Sequence, residues 1–289
     1  MSLRTSLVVG GLLATCTTAL EDIPPLGLGT WLSDRNKVPH AVEFGLKNGY
    51  DHIDAAWIYR NEDQTGKGIA AAALPRDDIW VTSKLWNSHH RQAEAETAIR
   101  ETLDRLGLDQ LDLYLVHWPV AFVPDSGTDL DTETSLLDTW RTMEGFVRAN
   151  LTRHIGVSNF ARADVEAILA ACDICPTLST TTPTSVSRLS PTRPLATQTP
   201  STTGARISTP FSRTPSGPSW PPTRASPPRR LCWLGGIQRG TIVIPKSTSD
   251  DHLAENVAAR KVTFTKDEME AIARQDKKAR FSNPSKQWG

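Results

Sequence analysis

The chain has 289 residues, 38% of them hydrophobic and 22% charged, and its 32 basic side chains balance 32 acidic ones. That length suits one large domain or two small ones with a substantial core. Zero net charge lacks the footprint of a nucleic-acid binder, and no apolar run reaches the ~18 residues of a membrane-spanning helix.

Residues 1–21 hold one early base, Arg4, then an apolar run from Leu7 to Ala14 and small residues up to Ala19. They read as a secretory signal cleaved near Ala19, as a buried strand, or as a misassigned first exon. Expected localisation is therefore cytoplasmic, or secreted if this leader is a signal. From residue 22 onward, short β-branched runs alternate with helical patterns. Strands are expected at His52–Ala55, Ile79–Leu85, Leu111–His117, His154–Val157 and Thr241–Ile244. Helices are expected at Lys37–Lys47, Asp63–Ala73, Arg91–Leu106, Ser135–Ala149, Arg162–Ala171, Asp251–Arg260 and Lys266–Lys278. Thr265-x-x-Glu268 opens the last as a capping box. Cys172 and Cys175 form a C-x-x-C, but there is no second pair for zinc and no thioredoxin-like context, so neither a metal nor a redox role is assigned.

One stretch departs from this alternation. Residues 176–230 contain 12 Pro, 13 Thr, 10 Ser and 7 Arg, with no Asp, Glu or Lys. Such a composition lacks apolar periodicity and helix formers. The segment carries +7, and the remaining 25 bases against 32 acids carry −7, so the zero net charge is a sum of two unlike parts. The domain at 22–289 is thus interrupted by a Ser/Thr/Pro-rich segment.

Alternating strands and helices argue for a parallel sheet with crossover helices. A doubly wound dinucleotide-binding sheet should show G-x-G-x-x-G, and Gly27-Leu28-Gly29-Thr30-Trp31-Leu32 lacks the third glycine. An α/β barrel instead places functional residues at the C-terminal ends of several strands. Asp54, Lys84 and His117 stand at three successive strand ends, with Tyr59 just beyond the first of them. A phenol, an ammonium, a carboxylate and an imidazole suit carbonyl reduction, in which charge develops on oxygen and a donor must meet it. In this reading Tyr59 is the acid, Lys84 lowers its pKa, Asp54 holds Lys84, and His117 orients the carbonyl oxygen. Trp31, Trp57, Trp86 and Trp118 would wall an apolar substrate pocket. Each residue also has an ordinary structural use: a turn cap for Asp54, a solvated strand-end lysine, a rim tyrosine, a satisfied core histidine, and core tryptophans.

Gly49-Tyr50-Asp51-His52-Ile53-Asp54-Ala55-Ala56 with Tyr59, then Lys84, then Asp112-Leu113-Tyr114-Leu115-Val116-His117-Trp118-Pro119, resemble the aldo-keto reductases. So do Gly156-Val157-Ser158-Asn159-Phe160 and Ile244-Pro245-Lys246-Ser247, and the resemblance covers roughly residues 22–175 and 235–288. It implies a (β/α)8 TIM barrel that binds NADPH or NADP+ without a Rossmann domain, uses no metal, and acts as a monomer on a small-molecule carbonyl substrate, with no nucleic-acid or membrane partner. It implies Asp54, Tyr59, Lys84 and His117 as the tetrad, and Ser158 and Asn159 at the nicotinamide carboxamide. Lys246 and Ser247 would take the 2′-phosphate, Glu255 and Asn256 the adenine, with His252, Gly29 and Thr30 completing the cofactor residues. His252 stands where many relatives have Arg, which weakens the preference for NADP.

The family's sixth and seventh strands should fall within 176–230, yet their motifs are not recognisable, so an incomplete barrel that cannot close is expected, with weak cofactor binding and little turnover. Back-translation offers a cause. Read from the third base of each codon, Arg229–Gly236 permits the helix that relatives carry before Ile-Gln-Arg-Gly, and Thr181–Arg188 permits a sixth-strand loop in the same frame. The segment reads as a frame-shifted stretch of a reductase gene restored near Gly236, or as a genuine insertion. Sequencing the transcript separates them. The functional readings are accordingly an NADPH-dependent carbonyl reductase, or an impaired or non-catalytic cofactor-binding relative.

Overall fold

The computed structural model describes residues 23–182, 185–188 and 235–273. The leader and most of the Ser/Thr/Pro-rich segment lie outside these. Eight strands follow in chain order: β1 (Gly27–Gly29), β2 (His52–Asp54), β3 (Trp80–Leu85), β4 (Leu111–Val116), β5 (Thr152–Ser158), β6 (Leu178–Thr182), β7 (Ser185–Arg188) and β8 (Ile242–Val243). Around them stand α1 (Val38–Lys47), α2 (Glu62–Ala72), α3 (Gln92–Leu106), α4 (Leu136–Arg148), α5 (Arg162–Leu169), α6 (Asp250–Ala259) and α7 (Lys266–Ala273). Each helical pattern expected from the sequence is found within a residue or two, apart from the end of α7, which passes out of the described residues. Thr265 and Glu268 make their reciprocal capping bonds, the Thr265 N–H to Glu268 Oε2 at 2.7 Å and the Glu268 N–H to Thr265 Oγ1 at 3.3 Å.

Strands β1 to β6 pair in sequence order and parallel. Strand β7 then turns back, antiparallel to both β6 and β8. A parallel bridge between Leu26 and Val243 joins the last strand to the first. The Val243 N–H donates to Pro25 O at 2.9 Å and the Gly29 N–H to Pro245 O at 3.1 Å across the same seam. The ring is therefore continuous, which corrects the expectation that the sheet cannot close. Backbone ladders require N–H and C=O groups rather than apolar side chains, so a polar hairpin can bridge β5 and β8 where composition forecasts a gap. Only residues 183 and 184 separate β6 from β7, too few for a crossover helix between these two strands.

Side-chain alternation sorts the core into two layers. Trp80, Leu113, Leu115, Ile242 and Ile244 pack inside the barrel with Ile23. Val81, Leu85, Tyr114, Val116, Ile155 and Val157 point outward into the larger cluster beneath the helices. Period-two parity then places Thr82 and Lys84 of β3, and His117 just past β4, on the interior side. Helix α2 approaches its neighbours at glycines: a Cβ on Gly66 would meet the Arg105 carbonyl at 2.6 Å, and one on Gly68 the Pro39 carbonyl at 2.6 Å.

Two interior histidines tie stability to pH. Burial, reinforced by the Lys84 charge and opposed by the bond to the Pro24 carbonyl, pushes His52 down to about 3. Burial, reinforced by His89 and opposed by Asp131, pushes His90 down to about 4. Above the unfolded value of about 6.5 both are neutral in either state. As pH falls below it, the unfolded chain takes up protons that the folded chain refuses until its own lower values are reached, so stability is lost. Between pH ~7.5 and ~5 each histidine should cost about 2 kcal/mol. Urea unfolding should therefore show the drop in His90→Gln shallower than in the parent by about that amount; equal drops would show that His90 does not refuse the proton.

Candidate active site

The second strand ends in Asp54, whose backbone carbonyl is gripped by Thr30: the Thr30 N–H and hydroxyl both donate to it at 3.1 Å. Asn61, just before α2, donates Nδ2 to Thr30 O at 2.9 Å. One strand over, the Lys84 side chain is buried and reaches three acceptors. Its Nζ donates to Asp54 Oδ1 at 2.6 Å, to Ala55 O at 2.8 Å and to Tyr59 Oη at 3.3 Å. Tyr59 closes a single 3-10 turn (Trp57–Tyr59), and Arg60 after it adopts φ 57°, which reverses the chain. His117 is anchored by its own N–H to Leu85 O at 3.1 Å. Its ring meets Tyr59 edge-to-face, with centroids 5.8 Å apart.

Burial dominates the electrostatics here. It holds Tyr59 above the ordinary phenol value, with Lys84 pulling the other way and Asp54 adding to the rise. The expectation that Lys84 leaves the phenol more acidic than usual is thus corrected: its effect has that sign, but losing solvent outweighs it. Burial likewise raises Asp54 against the pull of Lys84. Lys84 ends above its ordinary value because Asp54 and Tyr59 together outweigh the burial that would lower it. His117 is held well below the usual imidazole range by burial and then by the Lys84 charge, so it is neutral near pH 7. Its Nδ1 is buried without a hydrogen-bond partner among the described residues.

The tryptophans divide. Trp86 packs edge-to-face on His117 at 5.2 Å and Trp118 stacks beside it at 6.4 Å. Trp57 belongs to the larger core cluster and packs on His89 at 4.3 Å, donating Nε1 to Glu101 at 3.1 Å beneath the Arg60 guanidinium, 3.8 Å from its ring. Trp31 is 43% exposed.

Ser158 and Asn159 lie buried at the end of β5, beside His117. Asn159 takes φ 64°, a left-handed turn that asparagine tolerates, and donates Nδ2 to His117 O at 2.9 Å and to Ser158 Oγ at 3.0 Å. Gly29 and Thr30 spend their N–H groups on Pro245 and Asp54. At the β8 end Lys246 is exposed and Ser247 buried, just ahead of α6. Ser247 Oγ is held by Ser249, accepting from its N–H at 3.1 Å. Asp250, in the first turn of α6, pairs with His40 at 3.0 Å. His252 is exposed and Glu255 half-buried. Asn256 donates Nδ2 to Tyr50 Oη at 3.1 Å. No group of three or more His, Cys, Asp or Glu among the described residues is arranged to hold a metal ion. Nor is any helix among them long and apolar enough to cross a membrane.

Two supporting residues escape sequence reasoning. Asn61 braces Thr30 as described, and Glu62 sits buried behind β3, accepting from Ser83 Oγ at 2.6 Å and Thr102 Oγ1 at 3.2 Å. An Asn-Glu pair opening a helix reads as an ordinary cap with a dipole-matched acid, and nothing local shows that both turn toward the strands.

The sequence model described as the aldo/keto reductase family matches residues 25–186. The chain belongs to this family. An aldo/keto reductase of Synechocystis sp. is 36% identical over 300 residues, covering 90% of this chain and 88% of that protein. The glycerol 2-dehydrogenase (NADP(+)) of Saccharomyces cerevisiae is 41% identical over 165 residues, which span 52% of each chain, so several curated relatives are matched over only about half their length. A Bombyx mori aldo-keto reductase solved in complex with NADP superposes with a TM-score of 0.71 at 30% identity, covering 91% of this chain and 92% of that one. Membership makes this chain an oxidoreductase by kinship with a (β/α)8 barrel fold, and the hairpin at β6–β7 is where this aldo/keto reductase departs from eight regular repeats.

Proposed function

We propose that the chain reduces an aldehyde or ketone to the alcohol at the expense of NADPH, with Tyr59 as general acid. The observation that carries this reading is the buried series Asp54–Lys84–Tyr59 set edge-on to a neutral His117. The NADP carried by the silkworm relative and the name of the yeast one support the choice of cofactor.

When bound, the nicotinamide supplies the hydride. The chain's own groups do the rest. Tyr59 Oη gives a proton to the substrate oxygen as charge gathers there, and Lys84, 3.3 Å away, stabilises the phenolate left behind. Asp54 keeps Lys84 charged and in place. His117, kept neutral by burial and then by the Lys84 charge, would direct an N–H at the same oxygen, with Trp86 and Trp118 on its flanks. Ser158 and Asn159, buried at the end of β5, would hold the carboxamide. Lys246, Ser247 and the N-terminus of α6 suit the 2′-phosphate, since helix-end amides and an ammonium both favour an anion, against the opposing charges of Asp250 and Asp251 in the first turn. His252, Glu255 and Asn256 would line the adenine end, and Gly29 and Thr30 the floor beneath.

A second reading, a chain that binds NADPH but turns over poorly, is favoured by the antiparallel β7 in place of a regular repeat. NADPH consumption with 4-nitrobenzaldehyde, run beside a titration of NADPH fluorescence on the purified full chain, separates the two. Binding with turnover is expected. Binding without turnover supports the second reading, and no binding overturns both.

A further inference from the structure

The C-x-x-C left without a role by its sequence context is closed in the structure: Cys172 and Cys175 are disulfide-bonded, with Cα atoms 5.2 Å apart. It lies between α5 and β6, away from the tetrad, and both cysteines are half-buried rather than sealed. The two residues between them are held from outside by α4. Glu144, itself buried, accepts from the N–H groups of Asp173 at 2.7 Å and Ile174 at 3.0 Å through one oxygen. Trp140 donates its indole N–H to Ile174 O at 3.1 Å. Arg148 bridges Glu144 at 3.3 Å and Asp173 at 2.9 Å.

That clamp does not pass through sulfur. Opening the S–S bond would leave the backbone of residues 173–174 tied to α4, and the two thiols would stay within reach of one another. The α4 bonds restrict the open loop, though less firmly than the closed one, so a dithiol there closes at a small entropic cost and closure strengthens the bonds.

We propose that Cys172 and Cys175 are a reversible dithiol–disulfide couple that exchanges with small thiols, poised by the α4 clamp. The exchange is balanced in two steps. A thiolate of the small thiol attacks one cysteine sulfur, forms a mixed disulfide and releases the other cysteine as thiolate, which takes up a proton. A second small thiol then attacks its own kind in the mixed disulfide, releasing the remaining cysteine thiol and the oxidised small-thiol dimer. Two electrons and two protons enter the chain and two small thiols are oxidised. Re-oxidation by the same dimer reverses each step.

The test uses the full chain carrying Cys16→Ser and Cys232→Ser, equilibrated across a series of reduced-to-oxidised glutathione ratios, alkylated, and digested with trypsin. Both cysteines fall on the single peptide 163–188, so its mass reports disulfide against doubly alkylated dithiol. A reversible transition within the series is expected, reached from either side. Trp140→Phe keeps the ring but removes the bond to Ile174 O, and should shift the midpoint toward the dithiol by about three- to tenfold, the worth of one net hydrogen bond. A disulfide untouched at every ratio, two alkylated thiols at every ratio, or a midpoint that Trp140→Phe leaves in place would each overturn the proposal. Circular dichroism of the variant confirms that the barrel is intact when the midpoint is read.

Discussion

Replacing Tyr59 by Phe should lower kcat/KM for carbonyl reduction by about two to four orders of magnitude, the range over which a positioned general acid contributes. The fold should hardly notice. The change deletes one hydroxyl whose bond from Lys84 is the longest of the three that lysine makes, while those to Asp54 and Ala55 remain. Stability should move by about 1 kcal/mol or less, the net worth of such a bond. NADPH affinity by fluorescence should also stay near the parent's, so the loss would sit in the chemical step. The parent's pH profile supplies a second check. Because burial holds the phenol above its ordinary value, kcat/KM should stay level through neutrality and fall only above pH ~10, where an ordinary phenol begins to ionise. A Tyr59→Phe chain with full activity would remove the proposed acid. A parent profile that falls near neutrality would instead show that Lys84 outweighs burial after all.

Lys84→Met should damage both activity and stability. The lysine and Asp54 side chains are each 3% exposed and meet at 2.6 Å. Removing one partner strands a carboxylate where water cannot reach it, and breaking such a pair costs about 3–5 kcal/mol. The loss should be largest near neutral pH and shrink in acid. The stranded Asp54 can escape its penalty by taking a proton, and burial already inclines it to do so. The double variant Asp54→Asn/Lys84→Met should recover stability without recovering turnover, since no cation remains to stabilise the phenolate. Urea unfolding of parent, single and double variants at two pH values measures this. A single variant as stable as the parent would mean that the pair contributes no net stability, and a double variant that turned over normally would exclude Lys84 from the chemistry.

How much of this is legible in the chain alone depends on the distance over which each cause acts. Strand and helix positions follow from local periodicity, and parity then places Lys84 and His117 inside the barrel once β3 and β4 are known to pair in parallel. The convergence of Asp54, Tyr59, Lys84 and His117 was readable because consecutive strand ends in such a sheet share one rim. Composition misled at residues 176–188. It counted side chains, whereas closure of the ring through β6 and β7 rests on backbone groups that every residue but proline can offer in full. The C-x-x-C misled in a similar way, since only the α4 clamp, more than 20 residues upstream, shows why its loop is held.

The sequence by itself determined the alternating α/β plan, the barrel family and the identity of the four polar residues, because these are written in short-range patterns and in order along the chain. The tertiary structure alone decided that the ring closes, that Trp86 and Trp118 pack on the His117 ring while Trp57 packs on His89, and that Tyr59 is a weaker acid than its lysine neighbour implies. Each of those depends on how much water is excluded and which distant groups meet, and no residue's neighbours in sequence record either.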